Sequence, residues 1–175
     1  MRRRTIVQIG LAAILAAMIG NSVPVIAETI SENKLDAVDI DADTSDVTED
    51  GFQYYISKTK GENGEEIETA TITGYTGNKT EITVPSTVED NVPVTVIRWQ
   101  AFYNCSSLTS IEIPKGVESI EGSTFSGCSK LKEIKLPTTL KVIGYYAFRD
   151  CGGLISIEIP EGVESIGNGA FSGCS

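Results

Sequence analysis

The C-terminal half of the sequence repeats every 23 residues. Phenylalanine and cysteine recur at this interval in four successive units, and proline recurs in three of them, at Phe102, Phe125, Phe148 and Phe171, at Cys105, Cys128, Cys151 and Cys174, and at Pro114, Pro137 and Pro160. Five aliphatic positions keep the same step, beginning at Leu108, Ile111, Ile113, Val117 and Ile120. Eight positions with one spacing predict a repeat solenoid, in which every unit occupies an equivalent place.

Each unit contains the pattern of a short strand. In Ile111-Glu112-Ile113 two apolar side chains flank a charged one, so two would point into the core and one toward solvent. Equivalent strands would stack in parallel, about 4.8 Å apart, and form one continuous sheet. Proline follows each strand, where its missing N–H disturbs the ladder least. The phenylalanine and cysteine would fill the opposite side of each coil, among turns or short helical segments.

The unit from Leu131 to Cys151 reads Leu-x-x-Ile-x-Leu-Pro-x-x-Leu-x-x-Ile-Gly-x-x-Ala-Phe-x-x-Cys. This motif closely resembles the BspA-like leucine-rich repeats, which occur in bacterial surface proteins and in some protozoan parasites. Gly116, Thr139 and Gly162 stand where ordinary leucine-rich repeats have asparagine or cysteine, and the BspA-like class shares this departure. The resemblance covers about residues 70–175. It implies secretion or surface display and adhesive protein binding, and it brings no catalytic residues.

An N-terminal cap is predicted for residues 51–96, before the regular repeats of 97–175. Two strand-like runs, Phe52 to Ser57 and Glu66 to Thr73, are joined through Gly61-Glu62-Asn63-Gly64, and Asn-Gly is a strong hairpin signal. An imperfect first repeat follows, containing Ile82 and Val94. A solenoid needs such a non-repeating piece because its first rung otherwise exposes apolar core to water. The sequence stops in mid-rung at Ser175, so we expect it to be truncated there.

Residues 1–27 have the pattern of a signal peptide. Three arginines precede an apolar stretch from Ile6 to Gly20, and Val25 and Ala27 place small residues before a cleavage site. Residues 28–50 hold nine acidic side chains and one lysine without aromatic residues, so an acidic flexible linker is predicted. These features predict a secreted or cell-surface protein with no membrane span after cleavage.

Composition excludes several classes of function. The chain has no histidine, which removes Ser-His-Asp and Cys-His catalysis and imidazole–metal sites. Without the three N-terminal arginines, 11 basic side chains face 24 acidic ones, a net charge of −13, so nucleic acid is not expected as a partner. We therefore expect no enzymatic activity, no catalytic residues, no metal site and no cofactor.

The four cysteines occupy one periodic slot beside the phenylalanines. Disulfides between adjacent rungs are possible in an exported protein, but a buried core position explains all four cysteines at once. Reduced, slowly reacting thiols are therefore predicted. A zinc site is excluded, because ligands spaced 23 residues apart form a line and zinc requires a tetrahedron.

The candidate ligand-binding residues are the outward positions of three successive strands. They are Ser110, Glu112, Glu133, Lys135, Ser156 and Glu158. Opposite charges alternate from rung to rung in the columns Glu112–Lys135–Glu158 and Glu118–Lys141–Glu164, so these charges could equally serve the scaffold as cross-strand pairs. The exposed aromatic candidates, Trp99, Tyr103, Tyr145 and Tyr146, are expected toward the turn side.

Two functions fit these observations. The first is adhesion, in which the solenoid binds an extracellular protein or glycoconjugate. The alternative is a recognition or spacer module of a larger extracellular enzyme whose catalytic domain is absent from this sequence. The repeat alone does not identify the ligand.

The signal-peptide pattern predicts cleavage after Ala27. N-terminal sequencing of the exported protein should therefore begin at Glu28. Recovery of an intact Met1 on a membrane-bound product would contradict this prediction.

Overall fold

The computed structural model describes residues 45–174. The predicted signal peptide, and the predicted linker up to residue 44, lie outside this range. Within it, the chain forms ten β-strands and one short 3-10 turn at Glu89–Asn91, with no α-helix. The strands are β1 Asp46–Val47, β2 Phe52–Lys60, β3 Glu66–Tyr75, β4 Glu81–Thr83, β5 Val94–Ile97, β6 Ser110–Glu112, β7 Ser119–Ile120, β8 Glu133–Lys135, β9 Val142–Ile143 and β10 Ser165–Ile166.

The predicted solenoid is confirmed, but it has two sheets where the sequence predicted one. The three-stranded sheet has the order β4-β6-β8, and its strands pair in parallel. The seven-stranded sheet has the order β1-β2-β3-β5-β7-β9-β10. The backbone of a regular coil therefore runs along the core twice. It contributes Ile111 or its equivalent from one sheet and Ile120 or its equivalent from the other. Both residues are fully buried, so the aliphatic positions of the repeat line a core between the two sheets.

The predicted hairpin is also present, and its strands are longer than expected. β2 and β3 pair antiparallel from Phe52↔Tyr75 to Lys60↔Glu66. At the turn, Gly64 has φ +79°, a backbone conformation that glycine adopts without a steric penalty. β3 then pairs in parallel with β5, so the hairpin covers the first rung of the seven-stranded sheet. Asp46–Val47, at the end of the segment predicted as a linker, forms β1 against the outer edge of β2.

The phenylalanine column forms a continuous stack through the core. Successive ring centroids lie 5.1, 5.2 and 5.3 Å apart from Phe102 to Phe171, with interplanar angles of 10°, 5° and 2°. Phe52 and Tyr75 of the hairpin contact Phe102 at 6.4 and 6.0 Å, which extends the aromatic column into the cap. Aromatic pairs contribute roughly 0.5–1.5 kcal/mol each beyond the area they bury. The stack therefore connects the cap to the last phenylalanine.

The cysteines bond to the backbone of the preceding rung. The thiols of Cys128, Cys151 and Cys174 each donate to the carbonyl oxygen of the phenylalanine 26 residues earlier, with a sulfur–oxygen distance of 3.1 Å. Cys128 and Cys151 are fully buried, whereas Cys105 and Cys174 are only half-buried. Burial raises the pKa of all four thiols, and that of Cys151 to about 12. The cysteine side chains therefore both occupy space in the core and form hydrogen bonds with its backbone.

The Phe148 ring is fully buried between two stacked neighbours, so Phe148→Ala should leave a cavity. We expect this change to lower the free energy of unfolding by about 3–5 kcal/mol in a denaturant titration. Ile155→Ala is the control, because Ile155 is 90% exposed, and it should change stability by less than about 0.5 kcal/mol. Similar losses for both variants would contradict the inward assignment of the phenylalanine column.

The thiols should react in two classes. A thiol with a raised pKa has little reactive thiolate at neutral pH, and burial also blocks the reagent. In the folded protein we expect Cys128 and Cys151 to be labelled slowly and the half-buried Cys105 and Cys174 faster, with all four reacting after denaturation. Mass spectrometry of peptides after timed alkylation measures this. Rapid native labelling of Cys151, or a missing free thiol after denaturation without reductant, would refute it.

Candidate binding surface

The outward side of β4, β6 and β8, which we call the strand face, is a regular array of polar side chains. The parallel register aligns Glu81, Ser110 and Glu133 in one column and Thr83, Glu112 and Lys135 in the next. Of these six, only Ser110 is partly covered; the other five are exposed. The isoleucines between them, Ile82, Ile111 and Ile134, are buried. Four of the six predicted binding residues therefore lie side by side on one surface.

Glu81 and Thr83 belong to this surface but were not predicted as binding residues. They belong to the imperfect first repeat, in which Ile82 pairs with Ile111, 29 residues later, so the 23-residue spacing did not reach them. The pattern Glu81-Ile-Thr83-Val-Pro85 was nevertheless a usable signal, because it has the same alternation before proline as the later strands.

One ion pair crosses the strand face. The Lys135 ammonium lies 3.7 Å from Glu112 Oε2, and both side chains are more than half exposed, at 63% and 52%. Exposed pairs of this kind contribute roughly 0.2–1 kcal/mol. Since that contribution is small, the charges of this face are not required to hold the solenoid together.

The last two predicted residues, Ser156 and Glu158, do not extend the sheet. Residues 155–159 form no strand, and within residues 45–174 Lys135 makes its ion pair with Glu112 and none with Glu158. The predicted column Glu112–Lys135–Glu158 is therefore wrong in its third member. Ile157 belongs to the last described rung, where no further rung packs against it, and it is only half-buried. Gly152 and Gly153, which stand just before it, also leave the backbone less restricted.

The second predicted charge column lies at the start of the seven-stranded sheet's short strands. Lys141 Nζ is 3.4 Å from Glu164 Oε1 in the next rung. The backbone N–H of Lys141 also donates to the carbonyl of Glu118, and that of Glu164 donates to Lys141. Within residues 45–174 the ion pair of this column joins Lys141 and Glu164, which agrees with a scaffold role for these two side chains.

An open cleft adjoins the N-terminal edge of the strand face. Its volume is about 450 Å³, and it lies between the turn after β1 and the segment after β4. Thr83 of the strand face lines it together with Asp50, Pro85 and Pro114. The strand face therefore continues into a concave edge that has both polar and apolar walls.

The exposed aromatic side chains lie elsewhere, at the corner that follows the seven-stranded sheet. Trp99, Tyr103 and Tyr145 are about half exposed, at 50%, 48% and 54%, and Tyr146 is 37% exposed. Tyr145 and Tyr146 make an edge-to-face pair with centroids 6.0 Å apart, and the Arg149 guanidinium lies 5.4 Å from the Tyr146 centroid. As expected, these residues belong to the turn side and not to the strand face.

Within residues 45–174 no helix is long and apolar enough to cross a membrane. In the same range, no group of three or more acidic, cysteine or histidine side chains is arranged to hold a metal ion.

A family model for the BspA type leucine rich repeat region matches residues 95–175 in six copies. Comparison with curated proteins gives no match. Among solved structures, the T. pallidum leucine rich repeat protein TpLRR is 32% identical over 69% of this chain, with a TM-score of 0.59. The chain spans 54% of that protein, about half its length.

Two further structures are similar. A leucine-rich repeat protein from Bacteroides capillosus is 32% identical, with 63% of this chain and 82% of that one covered and a TM-score of 0.52. A leucine rich cell surface protein from Faecalibacterium prausnitzii is 31% identical, with 76% and 41% covered and a TM-score of 0.55. The two-sheet solenoid, the 23-residue unit and these similarities agree: the chain belongs to the BspA-type leucine-rich repeat proteins.

Proposed function

We propose that this chain is exported and acts outside the cell as a non-catalytic, adhesive protein-binding module. The N-terminal pattern of arginines, apolar stretch and small residues supports export. The similarity to a cell surface protein of F. prausnitzii supports the same location. A chain without histidine lacks the usual general base of hydrolases, which favours binding over catalysis.

The strand face carries this proposal. Its side chains project at regular intervals from hydrogen-bonded strands, whereas the buried isoleucines between them pack the core. Residues such as Glu133 and Lys135 can therefore change without a cost in core packing, which is the property that lets solenoids present different binding surfaces on one scaffold. Side chains of both signs and a neighbouring cleft suit the polar, irregular surface of a protein partner.

The partner class we infer is an extracellular protein. The strand face is polar and has no aromatic ring for stacking on sugars, so a protein suits it better than a glycoconjugate. Its alternating charges would contribute mainly to the rate and specificity of association.

The double variant Glu133→Ala/Lys135→Ala tests the strand face. It removes one charge of each sign, so the net charge is unchanged. We expect binding to immobilised secreted proteins and to whole cells to weaken about tenfold, as for loss of one main contact, while the melting curve stays nearly constant. Surface plasmon resonance and thermal denaturation measure the two effects.

A matched control is Lys58→Ala/Glu68→Ala on the hairpin. It removes an exposed ion pair of 2.7 Å, and again leaves the net charge unchanged. This variant should bind like the unmodified protein. The proposal fails if both double variants bind equally well, or if the purified chain converts a substrate.

A further inference from the structure

Asparagine stands directly before glycine at two places in the chain, Asn63-Gly64 and Asn168-Gly169. In such a pair the backbone nitrogen of the glycine can attack the side-chain carbonyl carbon of the asparagine, because the glycine has no side chain that stands in the way. Both asparagines are exposed, so water and base can reach either side chain. The two pairs therefore have the same local chemistry, and the structure around each pair decides how readily it reacts.

Asn63-Gly64 lies in the turn of the hairpin, away from the core. The N–H of Gly64 donates to the Gly61 carbonyl at 2.9 Å, and the N–H of Gly61 donates to the Glu65 carbonyl at 2.9 Å. Within residues 45–174, no atom outside its chain neighbours lies within 4 Å of the place where a Gly64 Cβ would stand. Rotation of the peptide group between Asn63 and Gly64 therefore breaks the exposed Gly64–Gly61 bond and displaces no packed side chain.

Asn168-Gly169 lies in a rung of the solenoid and is held by its neighbours. The Asn168 carbonyl accepts the backbone N–H of Tyr146 in the preceding rung at 3.1 Å, and the Gly169 carbonyl accepts that of Ser172 at 3.0 Å. A Cβ at Gly169 would collide with the Tyr146 ring, so this ring lies against the glycine backbone. Rotation of the peptide group between Asn168 and Gly169 therefore has to break a bond between rungs and to move a packed ring.

We propose that Asn63 is a site of spontaneous deamidation in the folded protein, and that rung packing suppresses the same reaction at Asn168. The Gly64 nitrogen loses its proton to base and bonds to the side-chain carbonyl carbon of Asn63. The bond from this carbon to the amide nitrogen breaks, and ammonia leaves after taking up a proton. Water then opens the cyclic imide at either carbonyl–nitrogen bond of the ring. The products carry a carboxylate at position 63, as aspartate or as isoaspartate.

Deamidation changes the charge of the hairpin tip and leaves the core intact. The tip already carries the exposed carboxylates of Glu62 and Glu65, so a further carboxylate at position 63 makes it more acidic. The part of the hairpin that covers the first rung lies at its other end, where Ala70 and Ile72 are buried and pair with β5. This modification goes beyond the proposed binding function and does not rest on it, because the strand face contains no asparagine.

Timed incubation of the purified chain at mildly alkaline pH, followed by peptide mapping with mass spectrometry, measures both sites in one sample. Each deamidation replaces –NH2 by –OH and so changes the peptide mass, and chromatography separates the aspartate and isoaspartate forms. We expect Asn63 to react at least about tenfold faster than Asn168, because an exposed turn opens at a lower free-energy cost than packed backbone. In denaturant the two rates should become similar, since both asparagines precede glycine.

Asn63→Gln is the matched control variant, because it keeps the amide but its longer side chain has to close a larger ring. It should abolish the fast reaction and leave the slow reaction at Asn168 unchanged. Asn63→Asp supplies the aspartate product directly, and should keep the melting curve of the unmodified protein, as expected for a change outside the core. The proposal is overturned if Asn63 reacts no faster than Asn168 in the folded protein, or if denaturation accelerates both sites by the same factor.

Discussion

The structure depends on the exact superposition of one rung on the next. Rings of Phe102, Phe125 and Phe148 lie 5.1 and 5.2 Å apart, close to the separation of about 4.8 Å between paired strands. Backbone pairing and ring stacking can therefore be satisfied by the same repeat distance. The turns that contain the phenylalanines pair in the same register. The backbone N–H of Phe125 donates to the carbonyl of Ala147 and that of Phe148 to the carbonyl of Ala170, both at 2.7 Å. The first unit has six more residues between its two strands than the regular units, as the pairing of Ile82 with Ile111 shows, and these are accommodated around the turn at Glu89–Asn91 without loss of the strand pairing.

Polar side chains inside the turns act under the same constraint. Thr139 replaces the glycine of the equivalent positions, and its hydroxyl both accepts from the Gly116 N–H at 3.1 Å and donates to the Val117 carbonyl at 2.8 Å. The hydroxyl of buried Thr124 donates to the Glu121 carbonyl oxygen at 2.7 Å, and the Arg98 carbonyl oxygen of the preceding rung lies 3.1 Å from the same hydroxyl. Buried backbone groups are costly when unpaired. Thr139 bonds to two backbone groups of the neighbouring rung and Thr124 also approaches one, so both help fix the same register as the phenylalanine stack.

The repeat predicted most of the fold, because one spacing assigned every apolar position to the same core. It did not predict the second sheet: Ser119–Ile120 and its equivalents are two-residue strands, too short to show alternation. It placed Glu158 opposite Lys135, because periodicity treats every rung as flanked on both sides, and Ile157 lies in the last described rung and is only half-buried. On the strand face, Ser110, Glu112, Glu133 and Lys135 could be found by alternation alone.

The exposed aromatic side chains Trp99 and Tyr145 were expected on the turn side, but the periodicity assigned them no role in the scaffold. Where the same residue type recurs every 23 residues, packing against the two neighbouring rungs restricts the choice of side chain, so that residue serves the scaffold. Trp99 and Tyr145 share a column with Gly122 and Asn168, and a column that accepts such different residues is free of that constraint. Gly122 also allows the Tyr145 ring to pack against its backbone, because a Cβ at this position would come within 3.0 Å of the ring. In a solenoid of this kind, the irregular columns are therefore where binding surfaces can develop without disturbing the stack.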